Sequence, residues 1–331
     1  MSNTISILDA NTIEIHYWLK DGSHSMDANV FNKCEYELLG IIKEISSALK
    51  VQIEIETMPL EQGGLKAWLK CHEIKGNQVI LSVVLFLCTE IAFTPITTTL
   101  EYLTNKVLEY IFEDPEIKAL EKEKKKEELK YDIAKLKRQT QLLTDSINEN
   151  KIKKRKSNYF ESASKCKKID KITISITDTY KESHSMPKEV MSKDFPLYIM
   201  TSDELEPDND EQAIIEIVSP VLKKGKYLWV GIYNGNVIQF KMKSNEFKTL
   251  VQTGQVPFKN GSSIQCHLVT KKKINSEGEV IIIGYEVMAV DSYFMNDTPI
   301  ETPEGKRRRQ KRTMEKKHQQ LNLFEEDFSS G

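Results

Sequence analysis

Residues Val79–Leu100 read VILSVVLFLCTEIAFTPITTTL, the one long apolar run in a 331-residue chain in which 29% of the residues are charged. At a helical rise of about 1.5 Å per residue, the run is long enough to cross a hydrocarbon layer about 30 Å thick. Its Leu, Ile, Val and Phe residues favour insertion by roughly 5 kcal/mol, and the central Glu90 opposes it by about 2.5 kcal/mol or more. The run therefore predicts a membrane helix, which we assign with its continuation to residues 78–112.

Polar side chains follow one side of this predicted helix. Ser82, Glu90, Thr94 and Thr97 recur at spacings of three, four or eight, which places them on one face. In a homo-oligomer this face would line a lumen, where a ring of Glu90 carboxylates would favour cations. These four residues are the predicted pore lining. The alternative is a helix buried in the core of a soluble oligomer, with Glu90 paired to a lysine.

The segment before the apolar run predicts a small β-α-β domain over residues 1–77. Alternating apolar residues indicate strands at 12–19 and 51–56, and helical spacing indicates a helix from about Ala28 after a capping Asp27 or Ser25. The stretch LKAWLKCHEIK that follows is predicted to be a short amphipathic helix. Since no signal peptide is visible, we expect this domain to stay in the cytosol.

The segment after the apolar run predicts a coiled coil and then a linker. Over residues 113–150, apolar residues at four–three spacing form a narrow seam that requires a partner helix, and we expect the same helix of a sister chain. Residues 151–205, which begin KIKKRKSNYFESASKCKK, are predicted to be a basic linker and a first strand of the next domain.

Residues 206–303 predict a β-rich, ligand-sensing domain. Strands are indicated at 213–218, 227–233, 237–242, 263–269 and 280–290. The Asn234-Gly235 pair indicates a hairpin turn, and Ser244 is the expected cap of a short helix, NEFKTLVQ. The chain as a whole is thus predicted to be α+β: a small β-α-β domain, one apolar membrane helix that continues into a short coiled coil, and a β-rich domain.

Lysines alternate with aromatic residues in this β-rich domain, a pattern suited to single-stranded nucleic acid. Phosphates would meet the lysines and bases would stack on the rings. The alternative is that the aromatic residues are core and the lysines only solvate the outer face. The predicted ligand-binding residues are Lys226, Tyr227, Trp229, Tyr233, Lys241 and Lys243.

The last 28 residues, 304–331, predict a disordered tail that carries two signals. The basic run Lys306–Arg312 would grip phosphates. The pentapeptide QLNLF resembles the bacterial sliding-clamp-binding peptide Gln-Leu-x-Leu-Phe, with Asn in place of the commoner central Ser or Asp. The resemblance implies a sliding clamp as partner, bound through Gln320, Leu321, Leu323 and Phe324.

Cysteine and histidine usage gives no sign of a cofactor. Five widely separated cysteines indicate reduced thiols. The pairs Cys71-His72 and Cys266-His267 lack the paired spacing of zinc sites, so no metal or other cofactor is predicted. The motif SHSM occurs twice, at Ser23–Met26 and Ser183–Met186, without a visible oxyanion hole or nucleophile turn. We therefore predict no enzymatic activity.

Several stretches together resemble membrane effectors of bacterial anti-phage defence operons, of the Hailong type (HalB-like). They are SHSMDANVFNKCEYELL, the apolar helix with its polar stripe, the coiled coil, and the YLWVGIYNGNVIQF and TPEGKRRR segments. The resemblance implies a homotetrameric channel in the inner membrane, with most of its soluble mass cytoplasmic. It also implies control by single-stranded DNA oligomers that an operon-encoded nucleotidyltransferase makes. The alternative is a soluble DNA-associated protein recruited to the sliding clamp through QLNLF.

Overall fold

The structure is a computed structural model that describes residues 10–58, 65–74, 78–99, 101–103, 105, 138, 148–223, 225–259, 261–295 and 298–328, apart from the side chains of residues 79 and 316–328. The chain divides into two compact units. The first comprises residues 1–202 and 274–279, and the second comprises residues 203–273 and 280–331. Most of the predicted coiled coil, residues 113–150, lies outside the described residues, and no long coiled coil occurs within them.

The first unit is built on a five-stranded antiparallel sheet. Its strands are β1 (Thr12–Leu19), β2 (Ile53–Met58), β3 (Leu65–Glu73), β4 (Ile169–Thr177) and β5 (Lys188–Met191). Their order is β2-β3-β1-β4-β5, so β3 lies between β1 and β2 and runs antiparallel to both. This is the split β-α-β arrangement. The prediction of an amphipathic helix for LKAWLKCHEIK is therefore wrong. The segment is strand β3, and its alternate residues are buried in the core of the first unit: Leu65, Ala67, Leu69 and Cys71.

Among the described residues of the first unit, three α-helices and a short 3-10 helix have bounds that the structure defines. They are α1 (Ala28–Ala48), α2 (Gln78–Ala92), α3 (Glu149–Lys165) and the 3-10 helix Ser192–Tyr198. The carboxylate of Asp27 caps α1, since it accepts hydrogen bonds from the backbone N–H groups of Asn29 and Val30. The expected cap of α1 is confirmed.

The predicted basic linker begins instead as α3, a helix with a buried face. Tyr159 and Phe160 of α3 are buried in the core of the first unit. The Arg155 guanidinium lies 3.1 Å from the carboxylate of Glu37 on α1, whose side chain is fully buried. A buried ion pair of this kind needs its partner, so the basic residues of α3 serve the packing of two helices.

The apolar run is the core helix α2, and the prediction of a membrane helix is wrong. Among the described residues, no helix is long and apolar enough to span a membrane. The helix is 15 residues long and ends at Ala92, and apolar side chains on all its sides are buried within the first unit. The predicted inner-membrane location depended on this span, so that prediction is also wrong.

The four predicted pore-lining residues have separate roles in this core. Ser82 is buried and its hydroxyl donates to the carbonyl of Ala10 at 2.8 Å. Glu90 forms an ion pair with Lys188 at 2.7 Å, as the alternative interpretation of the run expected. The hydroxyl of Thr94 donates to the carbonyl of Glu90 at 2.6 Å, and Thr97 is exposed beyond the end of α2.

The second unit is a sheet that closes on itself. Its strands are β6 (Glu204–Ser219), β7 (Trp229–Tyr233), β8 (Asn236–Met242), β9 (Ser263–Ile274), β10 (Val280–Met295) and β11 (Thr298–Glu301). The order is β11-β10-β8-β7-β6-β9, and β9 also pairs with β10, so five strands form a ring around one hydrophobic core. Each of the five strands predicted for this region is confirmed, although β7 begins two residues later than the predicted 227–233.

Local turn and capping chemistry fixes two connections in this sheet. Asn234 and Gly235 join β7 to β8 with φ angles of 49° and 76°, the positive values that a two-residue hairpin demands. Ser244 caps helix α4 (Asn245–Gln252) by accepting from the N–H of Phe247. Both predictions are confirmed.

The predicted disordered tail begins as helix α5 (Pro303–Phe328), which docks on β10. The Thr302 hydroxyl donates to the carbonyl of Val290 and accepts from the N–H of Gly305. A side chain at Gly305 would place its Cβ only 2.1 Å from the carbonyl oxygen of Asp291. The glycine therefore allows the helix to approach the strand closely.

Candidate nucleic-acid interface

A groove of about 370 Å³ opens where the β6–β7 loop meets the end of β8 and helix α4. The KKGKY sequence of the loop supplies part of its lining, and the alternation along β8 turns Lys241 outward between the buried Phe240 and Met242. Helix α4 adds two half-buried residues, Lys248 and Gln252. Five lysines line what we call the basic groove: Lys223, Lys226, Lys241, Lys243 and Lys248.

Positive charge in the basic groove is almost uncompensated. Among the described residues, no carboxylate lies within 4.0 Å of the ammonium groups of Lys223, Lys226, Lys241 or Lys248. Lys243 is the exception, since its ammonium lies 3.6 Å from the carboxylate of Glu286. A concave surface with one sign of charge concentrates anions.

One aromatic ring is available beside these lysines. Tyr227 lies in the lining with its side chain 65% exposed. Its ring lies over the backbone of Gly225, where a Cβ would come within 2.5 Å of a ring carbon. A ring held in this way at the rim of a basic groove can stack on a planar base.

The other two predicted aromatic residues do not present a free ring. Trp229 lies beneath the groove but is only 2% exposed, packed against Phe240, Phe247 and Phe258 at centroid distances of 6.0 to 6.1 Å. Because its indole is core, it cannot stack on a ligand in this structure. Tyr233 lies outside the groove, and its hydroxyl donates to the carboxylate of Asp210 at 2.8 Å.

The structure thus brings five of the six sequence-predicted residues to one groove, with Trp229 as its floor. The predicted set left out Lys223, in the same loop as Lys226, and Lys248, which lines the groove from α4. The signal for Lys248 was its position four residues after the capping Ser244, beside the face of α4 that buries Phe247 and Val251.

The basic run at the start of α5 has a different role from the predicted phosphate grip. Its four arginines are paired with carboxylates: Arg307 with Glu246, Arg308 with Asp291, Arg309 with Glu301 and Arg312 with Glu211. These pairs attach α5 to the sheet and to α4. The QLNLF sequence lies in the later part of α5, beyond the residues whose side chains are described.

Each of the two cysteine–histidine pairs is placed within its own unit. Cys71 and Cys266 belong to different units and both are buried, and burial raises the pKa of the Cys71 thiol to about 12. Within the part of the chain that the structure describes, no three His, Cys, Asp or Glu side chains are grouped as a metal site requires.

The connectivity of the second unit defines its class. If β6 to β10 are counted as strands one to five, the ring runs one-two-three-five-four-one, strands three and five are parallel, and a helix joins strands three and four. This is the connectivity of the oligonucleotide/oligosaccharide-binding (OB) fold, in which the second and third strands and the first loop carry the ligand. No protein-family model, curated protein or solved structure matches this chain.

Proposed function

We propose that this protein binds single-stranded oligonucleotides through the basic groove of its second unit. The observation that carries the proposal is the set of five lysines around one groove, four of them without a neighbouring carboxylate among the described residues, beside the exposed ring of Tyr227. In this proposal the lysines contact successive phosphates and Tyr227 stacks on one base.

The position of the groove within the ring supports the proposal. The β6–β7 loop and the end of β8 correspond to the first loop and third strand of the OB fold, which are ligand-binding elements in that class. Phosphate contacts release counterions and make affinity strongly dependent on salt, and a stacked base adds roughly 1 to 3 kcal/mol.

The wider role suggested by the resemblance stays a prediction. An anti-phage effector controlled by oligonucleotides from a partner nucleotidyltransferase is consistent with this ligand. Assembly as a homotetramer and recruitment to a sliding clamp through Gln320, Leu321, Leu323 and Phe324 also stay predictions. The channel is not part of the proposal, because the span on which it depended is a core helix.

Binding of a labelled twelve-nucleotide oligothymidylate, followed by fluorescence anisotropy, tests the proposal in the full chain. The length lies within the site size of about 4 to 16 nucleotides of an OB fold. The test variant is Lys223→Gln/Lys226→Gln/Lys248→Gln. The matched control, Lys259→Gln/Lys306→Gln/Lys311→Gln, removes the same charge from exposed positions outside the basic groove.

We expect the wild-type protein to bind the oligonucleotide, the groove variant to lose at least about tenfold in affinity at low salt, and the control to stay within about twofold. Equal losses in both variants would show that only net charge matters and would contradict a site at the groove. No binding by the wild-type protein would contradict the proposal altogether.

A further inference from the structure

A second and larger groove, of about 650 Å³, lies on the other side of Lys241 in the second unit. Four apolar residues in its lining expose much of their side chains: Leu228 44%, Val237 71%, Ile282 54% and Ile283 45%. We call it the apolar groove. Contiguous apolar surface on the outside of a protein is typical of a binding site.

The apolar groove opens where two strands separate. The parallel ladder between β8 and β10 pairs Phe240 with Tyr285 and continues to the pair Met242 and Val287. Before that ladder, β8 and β10 diverge, and the four residues 280–283 at the start of β10 are all exposed. The groove is therefore a gap in the ring, with side chains from both strands facing it.

The lining of the apolar groove also contains charged side chains: Glu204, Lys241, Lys271, Lys272 and Glu286. Three of them are in ion pairs, and the ammonium of Lys272 lies 2.5 Å from the carboxylate of Asp208. Glu286 is nearly buried and its carboxylate lies 3.2 Å from Lys271 and 3.6 Å from Lys243. Burial alone would raise the pKa of Glu286, but these lysines hold it below its usual range, so the acid is ionised and compensated. The exposed amide of Gln239 offers both a donor and an acceptor.

Lys241 lines both grooves, so the basic groove and the apolar groove form one continuous surface of the second unit. One side of Lys241 is rich in unpaired lysines and suits a charged backbone. The other side is rich in aliphatic side chains and suits uncharged planar groups. A nucleic-acid strand carries both kinds of group, and its bases are free for contact only when it is single-stranded.

We propose that the bases of the bound strand lie in the apolar groove, against Leu228, Val237, Ile282 and Ile283, with Gln239 as a hydrogen-bonding group. This inference rests on the proposed function. It makes the apolar groove the main part of the surface that distinguishes a single strand with free bases from other polyanions, whereas the basic groove supplies the phosphate contacts and one stacking ring, Tyr227.

An abasic oligonucleotide separates the two grooves experimentally. The full chain is titrated with twelve-nucleotide oligothymidylate and with an abasic strand of the same number of phosphates. The test variant is Val237→Ser/Ile282→Ser. The matched control is Val218→Ser/Ile214→Ser, which changes two residues of β6 that are each 56% exposed and line neither groove.

We expect the wild-type protein to prefer oligothymidylate over the abasic strand by at least tenfold. The apolar-groove variant should keep its affinity for the abasic strand and lose most of this preference, retaining only the part that stacking on Tyr227 supplies. The control should behave as wild type. A preference of the same size in the apolar-groove variant and in the wild-type protein overturns the inference and leaves the proposed function standing. Equal binding of the two strands by the wild-type protein overturns the inference and also the stacking of Tyr227, and leaves only the phosphate contacts of the proposed function. Failure to bind either strand overturns both.

Discussion

Two clusters of positive charge in the second unit have similar sequences and opposite surroundings. In the basic groove, four of five lysines have no carboxylate within 4.0 Å among the described residues. At the start of α5, Arg307, Arg308, Arg309 and Arg312 each pair with a carboxylate. The arginines are therefore already paired within the fold, whereas those four lysines are available to bind an external anion.

The difference shows that a basic run is interpreted by its neighbours in space. The carboxylates that meet the α5 arginines come from Glu211, Glu246, Asp291 and Glu301, three of which lie 10 or more residues away from the run. The lysines of the basic groove are instead surrounded by Tyr227, Met242 and other uncharged side chains. Sequence composition alone does not separate these two cases.

The largest expected effect is the loss of stability on removing Trp229, the floor of the basic groove, in contrast to removing Tyr227 at its rim. Trp229→Ala should lower the free energy of unfolding by about 3 to 5 kcal/mol, because it leaves a cavity among Phe240, Phe247 and Phe258. Tyr227→Ala should leave stability nearly unchanged and weaken oligonucleotide binding by roughly 1 to 3 kcal/mol. Urea unfolding and anisotropy titrations measure the two quantities. The reverse assignment of effects would place Trp229 at the ligand and contradict the groove described here.

A smaller effect tests whether α5 is docked as a helix. Gly305→Ala should cost about 1 to 3 kcal/mol, because its Cβ would meet the Asp291 carbonyl and force α5 away from β10. Hydrogen exchange of the β10 amides should become faster. Gly284→Ala is the matched control. Gly284 lies in β10 itself, and its Cβ would meet nothing within 4 Å. Unchanged exchange in Gly305→Ala would mean that the arginine run is not held against the sheet.

The smallest effect is a pH dependence of the arginine pairs. Hydrogen bonds from Arg307 and Arg309 hold the pKa values of Glu246 and Glu301 below their usual range. A carboxyl whose pKa is lowered by folding stabilises the protein above its ordinary pKa, and this contribution is lost as the pH falls through the lowered value. The urea midpoint should therefore fall between pH 6 and pH 3. The fall should be smaller in Arg307→Gln/Arg309→Gln, and an equal fall would exclude these pairs as its cause.

Sequence reasoning located the strands of the second unit because their signals are local. The alternation along each strand, the Asn234-Gly235 turn and the Ser244 cap all act over a few residues. Three lysines of the basic groove, Lys226, Lys241 and Lys243, were found for the same reason, since the loop and β8 are close in sequence. Lys248 was missed because it reaches the groove only through the packing of α4.

The errors share one physical cause, which is dependence on distant partners. An apolar run indicates that its side chains avoid water, but it does not indicate whether lipid or protein surrounds them. The residue that pairs with Glu90 in the core is Lys188, far along the chain, so the run itself gives no sign of it. The basic stretch that contains Arg155 suggested a linker, because the partner of Arg155, Glu37, belongs to another helix and is not visible locally in the sequence. The stretch LKAWLKCHEIK fits both a helical and an alternating pattern, and only its pairing with β1 and β2 decides for a strand.

The most direct test of the account is the slope of log affinity for oligothymidylate against log salt concentration. The account predicts a steep negative slope for the wild-type protein, reduced by about 2 in Lys223→Gln/Lys226→Gln/Lys248→Gln, since each lost phosphate contact on a single strand removes about 0.7. Arg307→Gln/Arg309→Gln should keep the wild-type slope, because those arginines are engaged with Glu246 and Glu301. A slope that falls in the arginine variant and not in the lysine variant would contradict the central claim.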